Sequence, residues 1–123
     1  MNWYKTSQSK IRLWLDDKRD PKNPKIREKY KSSGDEIWVK TVEEAKAYLE
    51  QGNVSYISFD NDLGLPLEGR HLANWIEEKA YNNEIPRLEW RVHSQNPKGA
   101  EQIKQAMQNA DKYWSEHEQN SLP

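Results

Sequence analysis

A chain of 123 residues has the size of one domain and can bury roughly two-thirds of its unfolded surface, enough for a single core. Nineteen basic and 20 acidic residues leave a net charge of −1, which excludes a whole-surface grip on nucleic acid or on an anionic membrane and confines any such contact to a local patch. The absence of cysteine removes disulfides, thiolate zinc sites and cysteine nucleophiles, while six Trp and six Tyr offset a 32% charged content and point to a folded domain with a very polar surface.

Met1 to Lys10 is a polar segment without the apolar stretch of a signal peptide, and no window reaches the length of a membrane span; the expectation is a cytoplasmic chain with no membrane contact. Ile11 to Leu15 carries the β-branched and aromatic residues of a first strand. Lys18 to Glu36 holds Pro21, Pro24 and Gly34, few apolar residues and a run of basic ones, which predicts loop with at most a short helix. A second strand follows at Ile37 to Val39, and Thr41 then caps an apolar stripe of Val42, Ala45, Tyr48 and Leu49 that predicts a helix ending before Gly52.

Tyr56 to Phe59 is the third strand, and Leu72, Ala73, Trp75, Ile76 and Ala80 predict a helix from Gly69 to Asn82. In the fourth strand, Leu88 to Val92, apolar Leu88, Trp90 and Val92 alternate with Glu89 and Arg91, the pattern of a sheet edge with one wet face. Pro97, Ala100, Ile103, Ala106, Met107 and Ala110 predict a last helix after Asn96, and His117 to Pro123 reads as a frayed tail. The domain therefore spans residues 11–116, and the alternation of strand and helix makes it α/β with a parallel sheet and crossover helices. Trp14, Trp38, Trp75 and Trp90 are expected in the core; Trp3 and Trp114 are open.

In an open α/β sheet, ligands bind beyond the carboxyl ends of the strands. Here those ends are Asp16-Asp17, Asp60-Asn61-Asp62-Leu63-Gly64 and His93-Ser94. Clustered carboxylates repel unless a cation is present, so Asp16, Asp17, Asp60 and Asp62 are candidate ligands for a hard divalent ion, magnesium or manganese, against the blander reading as turn and cap residues. His93 is a candidate general acid or base, the alternative being that it closes an edge strand on backbone groups, and Ser94 is a candidate donor to a phosphate oxygen. Asn96 and Lys98 stand where a helix start favours an anion, although a plain N-cap and a solvated charge would look the same. Of the basic residues after the acidic pair, Arg19 is the candidate for direct phosphate contact; His71 and His117 are expected on the surface.

The segments Leu13-Trp14-Leu15-Asp16-Asp17-Lys18-Arg19, Ser58-Phe59-Asp60-Asn61-Asp62-Leu63-Gly64 and Val92-His93-Ser94-Gln95-Asn96-Pro97-Lys98-Gly99-Ala100 together resemble the cyclic-phosphate-processing receiver-like domains, relatives of response-regulator receivers. The resemblance runs in order from about Ile11 to Met107 and implies a flavodoxin-like parallel sheet of about four strands in the order 2-1-3-4. By this likeness Asp16 and Asp17 match the receiver acidic pair, Asp60 the phosphoacceptor position and Ser94 the receiver hydroxyl, while His93 and Asn96 belong to a His-Ser-x-Asn-Pro signature. Position 61 is Asn where these domains often carry His, and no fifth strand supplies the receiver lysine, which disfavours ordinary phosphorelay signalling.

The expectation is a metal-dependent phosphoesterase acting on cyclic phosphates, either RNA 2′,3′-cyclic ends or cyclic nucleotides, without DNA sequence recognition. Asp60, His93 and Ser94 would be catalytic, and Arg19, Asn61, Asn96 and Lys98 would hold phosphate or substrate. The alternative is a non-catalytic module that binds a nucleotide or a protein partner.

Overall fold

The structure, a computed structural model, describes residues 10–121. Its elements are β1 (Ile11–Leu15), α1 (Pro24–Tyr30), β2 (Ile37–Val39), α2 (Val42–Leu49), β3 (Val54–Phe59), α3 (Gly69–Tyr81), β4 (Glu89–Val92) and α4 (Pro97–Asn120). The four strands form one parallel sheet in the order β2-β1-β3-β4, the flavodoxin-like order expected.

Register explains the core. Leu13 and Leu15 of β1 stand beside Ile37 and Val39 of β2 and beside Ile57 and Phe59 of β3, so strand alternation sends one row of aliphatic and aromatic side chains to a single face. Onto that row α2 buries Val42, Ala45 and Leu49, α3 buries Leu72, Ala73, Ile76 and Ala80, and α4 buries Ile103, Ala106, Met107 and Ala110. Each larger side chain buried this way contributes about 1.5–3 kcal/mol. Residues of the other parity, Arg12, Trp14, Tyr56 and Ser58, belong to the opposite face, where Arg12 lies 4.2 Å above the Tyr56 ring.

The first crossover agrees with its composition. Asn23 caps α1 by accepting from the Lys25 N–H, Pro24 opens it, and Lys31 in the left-handed region (φ 67°) ends it after seven residues, none of them buried. At the far edge, β4 pairs with β3 alone, exposing Glu89 and Arg91 while Trp90 and Val92 are half-buried.

Two expectations change. The helix α4 runs to Asn120, where a tail was expected from His117. Its polar last turns hold because Trp114, buried, donates its indole N–H to the Ile85 carbonyl, Arg87 pairs with Glu118 at 2.9 Å, and His117 Nε2 lies 2.9 Å from the Tyr81 carbonyl. Apolar spacing carries the stripe as far as Trp114 but no trace of the Arg87 and His117 anchors. Trp38 is the second: it is half-buried outside the main core cluster, under the Lys40 ammonium, and donates to the Asp16 carbonyl at 2.6 Å. Trp3 and the rest of residues 1–9, with residues 122–123, lie outside the described residues. Among the described residues no helix is long and apolar enough to cross a membrane.

Candidate functional site

The sheet ladder continues one step past the strands and builds the site. Asp16 N–H bonds to the Val39 carbonyl (3.1 Å), Asp60 N–H to Leu15 (2.8 Å) and His93 N–H to Phe59 (2.9 Å), so parallel register alone sets the heads of β1, β3 and β4 side by side. As a result one carboxylate oxygen from each of Asp16, Asp17 and Asp60 lies within 4.8 Å of the others. A cleft of about 270 Å³ opens over them, lined by Asp17, Lys18, Arg19, Asp60, Asp62, Gln95 and Asn96.

Glycines let the helices approach this point. A Cβ on Gly69 would stand 2.0 Å from the Asp60 carbonyl oxygen, and one on Gly99 would stand 2.4 Å from the Asn61 amide, so α3 and α4 can start where they do only without side chains there.

The two inner carboxylates titrate in opposite directions. Asp16 is fully buried, which by itself raises its pKa, but His93, the Lys18 and Arg19 backbone N–H groups and the Arg19 side chain all donate to it and bring it down to about 2. Asp60 is pushed up to about 6 by burial and by the adjacent Asp16 charge, against the pull of Arg19 and the Asn61 N–H. A pocket that drives one carboxyl toward its neutral form is short of positive charge. Arg19 supplies part of what is missing: its Nη1 lies 3.0 Å from Asp16 Oδ2 and 3.5 Å from Asp60 Oδ2, its guanidinium rests 4.7 Å over the Tyr30 ring, and Nη2 donates to Gln95 Oε1.

The remaining candidates divide. Asn96 lines the cleft and is also the N-cap of α4, its Oδ1 accepting from Gly99 N–H at 3.0 Å. Asp62 lines the cleft too, but it is not one of the three converging acids; its carboxylate accepts from the Asn96 and Asn61 amides at 3.1 and 3.0 Å. Lys98 faces a neighbouring cavity of about 220 Å³ shared with Asn61, Arg70 and Gln102. Ser94 is absent from the cleft lining, and its Oγ accepts the Asn96 N–H in a local turn.

Asn61 was expected on phosphate and His93 at the reacting atoms; both are committed elsewhere. Asn61, 2% exposed, joins β3 to α3 by accepting the Arg70 N–H at 3.0 Å, and its amide NH₂ turns to Asp62. His93, 8% exposed, does not line the cleft: Nε2 is 3.1 Å from Asp16 Oδ2, Nδ1 is 2.7 Å from Ser58 Oγ, and the ring stacks on Trp14 at 3.8 Å and 7°. Burial holds its pKa below the ordinary value, against the opposing pull of Asp16. His71, expected only on the surface, accepts the Glu68 N–H at the start of α3.

Sequence reasoning missed Ser58, Gln95 and Gly69. For Ser58 a signal existed: a hydroxyl within a buried strand, two residues before Asp60 and hence on the same side of the chain.

Set against known proteins, residues 11–109 match the model of a family described as the cyclic-phosphate processing receiver domain. No curated protein and no solved structure matches the chain.

Proposed function

The chain belongs to the cyclic-phosphate processing receiver domain family, and from that premise we propose that it is a metal-dependent phosphoesterase opening cyclic phosphates, on RNA 2′,3′-cyclic ends or cyclic nucleotides. The observation that carries this reading is the convergence of Asp16, Asp17 and Asp60 beneath a cleft that also receives Arg19 and Asn96.

The donor set suits a hard divalent ion, magnesium or manganese. Three carboxylates supply oxygen ligands, and the upward shift of Asp60 marks a deficit of cationic charge. Asp17 and Asp60 would hold the ion first; Asp16, whose oxygens already accept two donors each, would join them as the Arg19 guanidinium gives way to the ion. Such an ion polarises a phosphoryl group and offsets the charge that develops on it.

The protein's own groups do the rest. Arg19, partly exposed at the mouth of the cleft, pairs with a phosphate oxygen by turning away from Asp60, and the Asn96 amide orients the ligand. Asp60, which lines the cleft, would act as nucleophile on the phosphorus or as base for an attacking water.

One observation favours a second reading, a non-catalytic module that binds a cyclic phosphate, a nucleotide or a protein partner. His93 keeps both ring nitrogens inside the protein, so the cleft presents no imidazole to a leaving oxygen. The deciding experiment incubates the protein with oligoribonucleotides ending in 2′,3′-cyclic phosphate and with a panel of cyclic nucleotides, in Mg²⁺, Mn²⁺ or EDTA. Turnover that EDTA and Asp60→Asn abolish supports the enzyme. Binding without turnover by the unaltered protein establishes the module.

A further inference from the structure

Ser58 of β3 has no place in the chemistry above, yet its side chain is the start of a hydrogen-bonded chain that ends on the acidic cluster. It is 2% exposed, with Oγ 2.7 Å from His93 Nδ1, and His93 Nε2 is in turn 3.1 Å from Asp16 Oδ2. The direction of the chain follows from donor chemistry. An ionised Asp16 only accepts, so Nε2 carries a proton; in a neutral imidazole Nδ1 is then an acceptor, and Ser58 must donate to it.

Everything around the chain restrains it. Trp14 covers the imidazole face at 3.8 Å and also donates its indole N–H to the Arg19 carbonyl, while Trp38 donates to the Asp16 carbonyl. The turn from Asp16 to Arg19 is thus clamped by two indoles, and the carboxylate by one imidazole. Without the hydroxyl, Nδ1 would be a buried acceptor lacking a partner and the ring would be held at one nitrogen only.

We propose that Ser58 is a positioning residue: by donating to His93 it holds the ring that aims the Asp16 carboxylate at the acidic site, which is therefore set in place before any ligand arrives. This inference rests on the reading of Asp16, Asp17 and Asp60 as a divalent-ion site. It assigns His93 a supporting role through its ring orientation, and it gives Ser58, which never touches the ligand, a quantitative effect on ion affinity. Hydrogen-bonded partners behind metal ligands commonly control affinity by about 10- to 100-fold.

The test compares wild type, Ser58→Ala and Ser58→Thr by Mn²⁺ titration calorimetry and by nitrogen NMR of ¹⁵N-histidine-labelled protein, with thermal melts as the check on folding. Wild type should show His93 protonated on Nε2 with a hydrogen-bonded Nδ1. Ser58→Ala should lose the hydrogen-bonding shift at Nδ1 and bind Mn²⁺ about 10- to 100-fold more weakly, and Ser58→Thr, which keeps the hydroxyl, should recover both. An Nδ1-protonated His93 in wild type overturns the proposal, as does a Ser58→Ala protein that binds Mn²⁺ within about twofold of wild type. Should wild type bind no Mn²⁺ at all, the ion site itself fails, an outcome distinct from normal wild-type binding with an indifferent Ser58→Ala.

Discussion

The guanidinium of Arg19 stands 3.5 Å from Asp60 Oδ2, in an acidic cluster that leaves the Asp60 carboxyl at about 6. The same Nη1 lies 3.0 Å from Asp16, so one side chain spans both buried acids and acts as a built-in counter-ion. On the proposed reading, a residue in this position would compete with an added cation and would become available to an anion once the cation is bound.

Replacing Arg19 by Met should separate those roles. Removing the internal positive charge should tighten Mn²⁺ binding at pH 7.5 by roughly tenfold, about 1.4 kcal/mol, and weaken binding of a cyclic-phosphate ligand. Titration calorimetry with each ligand reads both effects. Weaker Mn²⁺ binding by Arg19→Met would show that Arg19 supports the ion site instead of competing with it.

The pH dependence of the metal-free protein follows from the two inner carboxylates. Asp60, raised from 3.8 to about 6, binds its proton more tightly when folded, so it costs no stability below pH 4 and an increasing amount as pH rises from 4 to 6. Asp16, lowered from 3.8 to about 2, contributes stability above pH 4 that is lost as pH falls toward 2. Thermal midpoints without metal should fall between pH 4.5 and 7, Asp60→Asn should flatten that fall, and Mg²⁺ or Mn²⁺ should raise the midpoint more at pH 7 than at pH 5. A metal effect independent of pH would contradict Asp60 as a ligand.

Gly69→Ala and Gly99→Ala test how tightly the helices close on the site. The Gly99 substituent would meet the Asn61 side chain at 2.4 Å and should cost about 1–3 kcal/mol as that side chain shifts. The Gly69 substituent would meet the Asp60 backbone at 2.0 Å, which has no rotamer to yield, so its cost should be the larger of the two and should be accompanied by weaker ion binding. Urea denaturation gives the stabilities; equal costs would argue against the backbone contact.

Trp114→Ala should cost about 3–5 kcal/mol, since it empties a buried site and leaves the Ile85 carbonyl without its indole donor. Hydrogen exchange should show the last turns of α4 opening while the Asp16 end of the molecule stays protected. Loss limited to a few tenths of a kcal/mol would mean that the helix end is held by the Arg87–Glu118 pair instead.

Much of the fold is legible in the sequence because its signals are local. Strand residues at Ile11 to Leu15, the Thr41 cap and the apolar stripes of α2, α3 and α4 reflect neighbours within a few positions in sequence, and the polar alternation of Glu89 and Arg91 marked the edge strand. The end of α4 was not legible, because its anchors to Ile85, Arg87 and Tyr81 come from 29 to 36 residues away.

The candidate site was legible in location and incomplete in role. Acids at the ends of β1 and β3 and a histidine at the end of β4 had to meet once the strands paired in parallel, so the sequence by itself determined that Asp16, Asp60 and His93 are neighbours. Only the tertiary structure decided which of them face the cleft. Each strand end offers two sides, and the choice depends on what the adjoining strands place there: Ser58 and Trp14 draw His93 inward, and Gly99 admits the Asn61 amide beneath α4. Arg19 closes over Asp60. These are contacts between strands and loops far apart in the chain, and the energy of a buried polar group depends on such partners more than on its type.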